Sequence, residues 1–428
     1  MRMSQRFPDE EMVGVEFKDL DDTTMLRCDT TCDIFARPMP TALALISILV
    51  LLFAAATSSE EALAPIKIGA LYPTSGSASV FGVPAQIGHD MAVEEINAAG
   101  GLLGRQVITI ARDTKLNPAT AAAAAKALVT KEGVDVLVGS LSSAVGLAIA
   151  EVARSEKVVF VASVAKTIHL STTKKHDYVF RTAANTDSEG RGIARVVGMV
   201  GGRKICHLQF DYAYGHDLGA GFKKALATEA PAAQIVLDLK IKLGTTDYNA
   251  YIAQVIGSGC DCVASGLWGA AFINVAQQGR PFGLFEQVKY ISGGEIGSHE
   301  IASEMKGNYP DNVWSNAYEL WYHSHSPLHE AFRQKLVERF DTPYTPSWPT
   351  LGYIGVQFIG AAIEKAGSTT PEALSAAFKG LSVDTPVGRR TIDPATHQAN
   401  TGQFWGPMKT SDQYDFRVMD PVTYIPGD

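Results

Sequence analysis

From residue 66 onward, short β-branched and apolar runs alternate with longer stretches whose apolar positions recur every three to four residues. The first kind of pattern predicts strands and the second amphipathic helices. IKIGAL (66–71), RQVITIARD (105–113), VDVLVG (134–139) and KVVFVAS (157–163) read as strands. Between them, 86–101 reads as a helix closed by Gly100-Gly101, 117–133 as one opened by Asn117-Pro118, and 143–156 as a third. Asn at an N-cap with Pro next to it, and Gly past a helix end, are end signals with a backbone cause. Near-continuous apolar strands set between helices predict a parallel sheet covered on both faces.

The rhythm restarts after Asp187, with helix 188–200, strand KICHLQF (204–210), helix 216–229, strand 234–242, helix 247–257, strand 260–266, helix 270–278 and strand 288–294. Helices at 327–340, 351–366 and 371–380 and a β-rich tail follow. The tail is too short for a third domain, so it is expected to return and complete the first two. The expected fold is α/β, with two doubly wound parallel-sheet lobes. A length of 428 residues suits two domains of ordinary size.

Residues 1–56 stand apart. The run TALALISILVLLFAAA (41–56) follows Arg27 and Arg37 and ends in Ala54-Ala55-Ala56. A basic flank, an apolar core and small residues at its end form a secretory signal pattern, and 16 residues are short for a membrane span. Translation is expected to start at Met25, which keeps both arginines, and the mature chain to begin near Thr57 in the periplasm. A net charge of −8 without a basic tract argues against a nucleic-acid partner. After export the cysteines are Cys206, Cys260 and Cys262. Cys260 and Cys262, only two residues apart, are not expected to bridge each other; a Cys206–Cys262 bridge between neighbouring strands is possible, and buried free thiols are the favoured state.

Ligands of open parallel sheets bind beyond the carboxyl ends of the strands. The segments there are 74–82, 140–146, 163–167, 211–215, 266–269 and 293–298, rich in Gly, Ser and Thr, with aromatics and the acids Asp211 and Glu295. Hydroxyls and free amides at helix starts suit a carboxylate, and an acid among aromatics suits an ammonium with an apolar tail. Ser143, Thr167 and Asp187 also have a plainer reading as helix N-caps. Tyr214 and Trp268 could equally be core aromatics, and Glu295 a solvated loop acid.

These loops, in order, resemble the leucine/isoleucine/valine-binding proteins of branched-chain amino-acid ABC transporters, the type 1 periplasmic binding proteins. The resemblance rests on GALYPTSGSASVFG (69–82), EINAAGGLLGR (95–105), VLVGSLSSA (136–144), SVAKT (163–167), FRTAANTDSEG (180–190), DYAYG (211–215) and SVDTPVGRRTID (382–393), and covers 66–408. It implies two lobes joined by three crossovers: 66–185 plus 316–401, and 186–315 plus 402–428, hinged near Asn185, Ser315 and Gly402. It also implies that Ser143, Thr167 and the backbone of Ala165 grip a ligand carboxylate. Asp187 and Glu295 would face its ammonium, and Phe81, Tyr214, Leu267 and Trp268 would line its side chain. Two departures stand out. The family's first-lobe disulfide is missing, with Ser142 at one position, and Lys166 replaces a small residue.

The expected function is that of an exported, monomeric binder of an amino acid, serving an ABC transporter permease, with no cofactor and no catalysis. The alternatives are a binder of an aromatic or other organic acid, and a periplasmic hydrolase or sensor on the same scaffold. No nucleophile elbow, phosphate loop, zinc-protease helix or dinucleotide fingerprint is present. His323, His325 and His329 are a weak metal pattern, and a surface loop is the plainer expectation.

Overall fold

The computed structural model describes residues 63–427, so the expected leader in 1–56 and the start at Met25 fall outside them. The first lobe is built on a parallel sheet of order β2-β1-β3-β4-β5, with β1 Ile66–Tyr72, β2 Val107–Asp113, β3 Val136–Gly139, β4 Val159–Ala162 and β5 Val179–Arg181. Alternate strand residues feed two cores. Leu71, Leu137, Phe160 and Ala162 pack with α2 (Pro118–Thr130) and α3 (Ser143–Glu156). Ile68, Ala70, Val136, Val138 and Val161 face α1 (Ser79–Ala98) and the late helix α11 (Pro349–Ala366). Both faces are therefore covered, which is why these strands lack polar alternation.

The second lobe carries α4 (Thr186–Met199), β6 (Lys204–Phe210), α5 (Ala213–Glu229), β7 (Gln234–Ile241), α6 (Asn249–Gly257), β8 (Cys262–Ser265), α7 (Ala270–Gly279), α8 (Leu284–Gln287), β9 (Lys289–Ser292), α9 (His299–Met305) and β10 (Val313–Ala317). Its sheet runs β7-β6-β8-β9-β10 in parallel. The chain then supplies α10 (Pro327–Phe340), α11, α12 (Pro371–Phe378) and the hairpin of β11 (Ser382–Thr385) and β12 (Gly388–Thr391). It returns as β13 (Gln403–Lys409), antiparallel to β10, with β14 (Val418–Met419) and β15 (Thr423–Ile425) paired to β13.

Several expectations are corrected. The first helix begins at Ser79, seven residues early, and runs through Pro84. Pro84 falls in the second turn, where its ring nitrogen cannot donate to the Val80 carbonyl, so a proline there gave no helix signal in the sequence. Cys206 and Cys260 form a disulfide with Cα atoms 5.8 Å apart, and Cys262 is the buried free thiol. Cys206 stands opposite Val263, not Cys262, so side-chain alternation turns Cys262 to the other face of the sheet. Cys260 lies before β8 begins, free of that alternation. His329 is not in a surface loop; it is fully buried in the first turn of α10, bonded to buried Glu319 at 2.8 Å, with His325 stacked over it at 4.4 Å. Among the described residues no three His, Cys, Asp or Glu side chains cluster to hold a metal, and no helix is long and apolar enough to cross a membrane.

Candidate ligand-binding site

The strand ends of the two sheets face each other across a cleft lined by Phe81, Leu141, Ser143, Val164, Lys166, Tyr212, Tyr214, Trp268, Glu295 and Trp348. The free space between these side chains is only about 30 Å³. That is roughly one water's share of liquid volume and far below the roughly 300–1,000 Å³ of ligand sites, so the cleft is shut in this state and a ligand enters only as the lobes part.

One wall is aromatic. Phe81 in the first turns of α1 meets Trp348 at 4.6 Å between centroids and Trp268 edge-on at 5.9 Å. Trp268 in turn meets Phe210 at 5.6 Å. Trp348 precedes α11, so two segments far apart in sequence build one apolar face. Opposite lies the start of α3. Ser143 is its first residue, and the preceding Ser142 makes no side-chain cap bond. A helix start offers unpaired backbone N–H groups and positive potential to an anion.

The polar end of the cleft is a closed charge cluster. Lys166, carried by the loop after β4, donates to Glu189 Oε1 at 2.6 Å and to Glu295 Oε1. Gln403 Nε2 donates to the same two carboxylates at 3.1 and 2.8 Å. The ammonium also lies 5.6 Å from the Tyr214 ring centre and 5.3 Å from that of Tyr318. All three charged side chains are buried. Burial alone would lower the Lys166 pKa, but Glu189 and Glu295 hold it above the usual lysine range. Burial lifts Glu189 well above the usual carboxylate range; Lys166 opposes this and Glu295 adds to it. Glu295 sits at a left-handed φ of 50° after Gly293-Gly294, and its N–H donates to Asn316 Oδ1 at 2.8 Å. That turn aims the carboxylate at Lys166.

The remaining expected residues separate. Asp187 does not reach the cluster: it is part-exposed on the outer side of α4, paired with Lys224 at 3.2 Å. Glu189, two residues on, takes the inward place, because positions two apart on a helix face different ways. Thr167 is buried, donates its hydroxyl to Asp217 of α5 and accepts from His169 N–H at 3.3 Å, which leaves it outside the cleft lining. Ala165 is buried in the core beside Gly146 of α3. Leu267 is fully buried beneath the loop whose next residue, Trp268, lines the cleft. Ser143, Phe81, Tyr214, Trp268 and Glu295 do come together. Sequence reasoning missed Glu189, Gln403, Tyr212 and Trp348; Glu189 stood inside a quoted segment, whereas Trp348 carried no signal beyond the following Pro349.

Residues 65–410 match the family model described as periplasmic binding protein. A Leu/Ile/Val-binding protein homolog 3 of Brucella melitensis is 26% identical over 336 residues, spanning 78% of this chain and 88% of its own. A leucine-, isoleucine-, valine-, threonine- and alanine-binding protein of Pseudomonas aeruginosa is 24% identical over 331 residues, 77% of this chain and 86% of its own. Among solved structures, an ABC-transporter solute-binding protein of R. palustris in complex with 4-hydroxybenzoate superposes with a TM-score of 0.76 at 25% identity, covering 84% of this chain and 97% of that one. A branched-chain amino-acid transporter substrate-binding protein of Streptococcus pneumoniae, in complex with isoleucine, shares the fold at a TM-score of 0.74 and 21% identity, covering 85% and 99%. With a family match across both lobes and a cleft where their strand ends meet, the chain belongs to the periplasmic binding protein family, the solute-binding component of ABC transporters.

Proposed function

We propose that this protein captures a small aromatic carboxylate between its lobes and delivers it, unchanged, to an ABC transporter permease. The observation that carries this reading is the Lys166 ammonium seated between Glu189 and Glu295. A ligand's α-ammonium needs a carboxylate to receive it, and the two carboxylates here already hold a cation supplied by the chain itself. To bind there, an amino acid would have to displace Lys166 and leave a buried charge unpaired, at a cost of several kcal/mol. A carboxylate without an amine meets no such conflict. Its anionic end suits the Ser143 hydroxyl and the amides opening α3, and its ring enters among Phe81, Trp268 and Trp348 while the lobes are parted. The R. palustris relative bound to 4-hydroxybenzoate supports this choice. The names of the curated relatives favour the rival ligand class, a branched-chain amino acid.

On the same reading the protein is an exported monomer. Its lobes comprise 66–185 with 316–401 and 186–315 with 402–428, and they close by hinge rotation near Asn185, Ser315 and Gly402. Calorimetric titration of the mature protein with benzoate, 4-hydroxybenzoate, L-leucine and L-isoleucine decides the ligand class. The aromatic acids should bind, be recovered unchanged, and stabilise by about 2.7 kcal/mol at a hundred times their Kd. Tight binding of leucine or isoleucine, with none of the aromatic acids, overturns the proposal.

A further inference from the structure

Trp348 forms part of the cleft wall, yet its own position is fixed from the opposite lobe. It is the residue before α11, a helix that packs against α1 of the first lobe so closely that a Cβ added at Gly352 would lie 1.8 Å from the Ala85 carbonyl oxygen. Trp348 makes no side-chain cap bond to that helix. The free N–H groups at its start are taken instead by Glu300, on α9. Glu300 Oε1 accepts from Ser347 N–H at 3.0 Å and from Trp348 N–H at 3.2 Å, and Oε2 accepts from the Ser347 hydroxyl at 3.2 Å. Helix α9 belongs to the second lobe: the turn leading into it places Gly297 against Met408, Met419 and Ser315 of the second sheet. Charge favours the arrangement, since a carboxylate meets the positive end of an 18-residue helix.

We propose that Glu300 is a positioning residue for ligand retention: reaching from the second lobe, it caps the start of α11 and pins Trp348 over the cleft, in bonds that opening must break. This rests on the reading of the Phe81–Trp348 cleft as the ligand site. Closure thus has a fastening at the cleft rim, separate from the Lys166 cluster in its depth. The ligand enters while the lobes are parted and the fastening is open, so the fastening governs escape and not arrival; in the ligand-free protein it forms whenever the lobes close.

The test compares parent, Glu300→Ala and Glu300→Gln by stopped-flow binding of 4-hydroxybenzoate, with L-isoleucine as second probe. Glu300→Ala should release the probe about tenfold faster or more, with association within about twofold of the parent. Glu300→Gln, whose amide oxygen still accepts both N–H groups, should recover most of the loss. Hydrogen exchange of peptides spanning 344–350 in the ligand-free protein gives a readout that needs no ligand, and the alanine variant should exchange faster there. Unchanged dissociation in Glu300→Ala, or unchanged exchange, overturns the proposal. If the parent binds isoleucine and not 4-hydroxybenzoate, the aromatic reading falls and the isoleucine rates judge Glu300 by the same criterion. If neither probe binds, the exchange result alone decides.

Discussion

Replacing Lys166 with alanine removes the cation that faces Glu189 and Glu295 in the cluster, and leaves two buried carboxylates sharing a site, with Gln403, among the described residues, the remaining donor to both. Breaking a buried pair by deleting one partner costs about 3–5 kcal/mol. At ~2.1 cal/mol/K of unfolding entropy per residue, this is a fall in Tm of about 4–6 °C. The loss should depend on pH with a definite sign. Burial already lifts Glu189 well above the usual carboxylate range in the parent. Without the lysine, which opposes that lift, its folded-state pKa rises further above the unfolded value. A group whose folded pKa is raised contributes stability at low pH and loses it as pH climbs through the folded pKa. The gap between parent and variant should therefore be wide at pH 8 and narrow at pH 5, where the carboxylates share a proton. Thermal melts at both values measure it. Adding n-propylamine, which supplies the missing methylenes and ammonium, should restore part of the melting temperature at pH 8, where an uncharged propanol should not. Equal losses at the two pH values, or no loss at all, would refute the account of Lys166 as the resident counter-ion.

Three further outcomes are expected. Ser143→Ala should weaken binding of 4-hydroxybenzoate by about 1.5–3 kcal/mol, while Asp187→Asn, whose side chain makes only a part-exposed pair with Lys224, should leave it within about 1 kcal/mol; calorimetry separates the two. The unreduced, denatured mature protein should titrate one thiol, Cys262, and reducing the Cys206–Cys260 bridge, which spans 54 residues, should cost about 4 kcal/mol in urea unfolding. Burial pushes Glu300 up to about 7, so the folded state holds a proton there that the unfolded chain has released; its contribution to stability should fall as pH rises from about 4.5 through 7, and Glu300→Gln should remove that slope from urea melts.

How much of this was readable in the sequence depends on which interactions carried each feature. The strands at 66–72 and 204–210 and the helix at 327–340 were legible because burial on both sheet faces, or a Ser-Pro start, writes directly into residue type. Phe81, Ser143, Tyr214, Trp268 and Glu295 were found because the segments beyond the strand ends, where topology puts ligands, also resemble the family's ligand-binding loops. Asp187 was misplaced because a spacing of two residues on a helix reverses the direction of a side chain, and loop order does not resolve that. Lys166 was noticed as an odd residue, but its meaning needs Glu189, Glu295 and Gln403, separated from it by up to 237 residues, to be seen around one ammonium. The Cys206–Cys260 pairing turned on where β8 begins, a boundary that composition leaves open by a residue or two.

The backbone contact between α1 and α11 has a consequence for how this scaffold changes its preferences over evolutionary time. A Cβ at Gly88 would lie 1.9 Å from the Pro349 carbonyl oxygen, so the two helices touch main chain to main chain. Phe81 and Trp348 are therefore mounted on a single plate that tolerates little substitution. Tyr212 and Trp268 ride on loops of the other lobe, and Tyr214 on the helix start that follows one of them. New appetites are then expected to arise by rewriting those loops, with the Phe81–Trp348 plate inherited as a fixed anvil against which each new ligand is pressed.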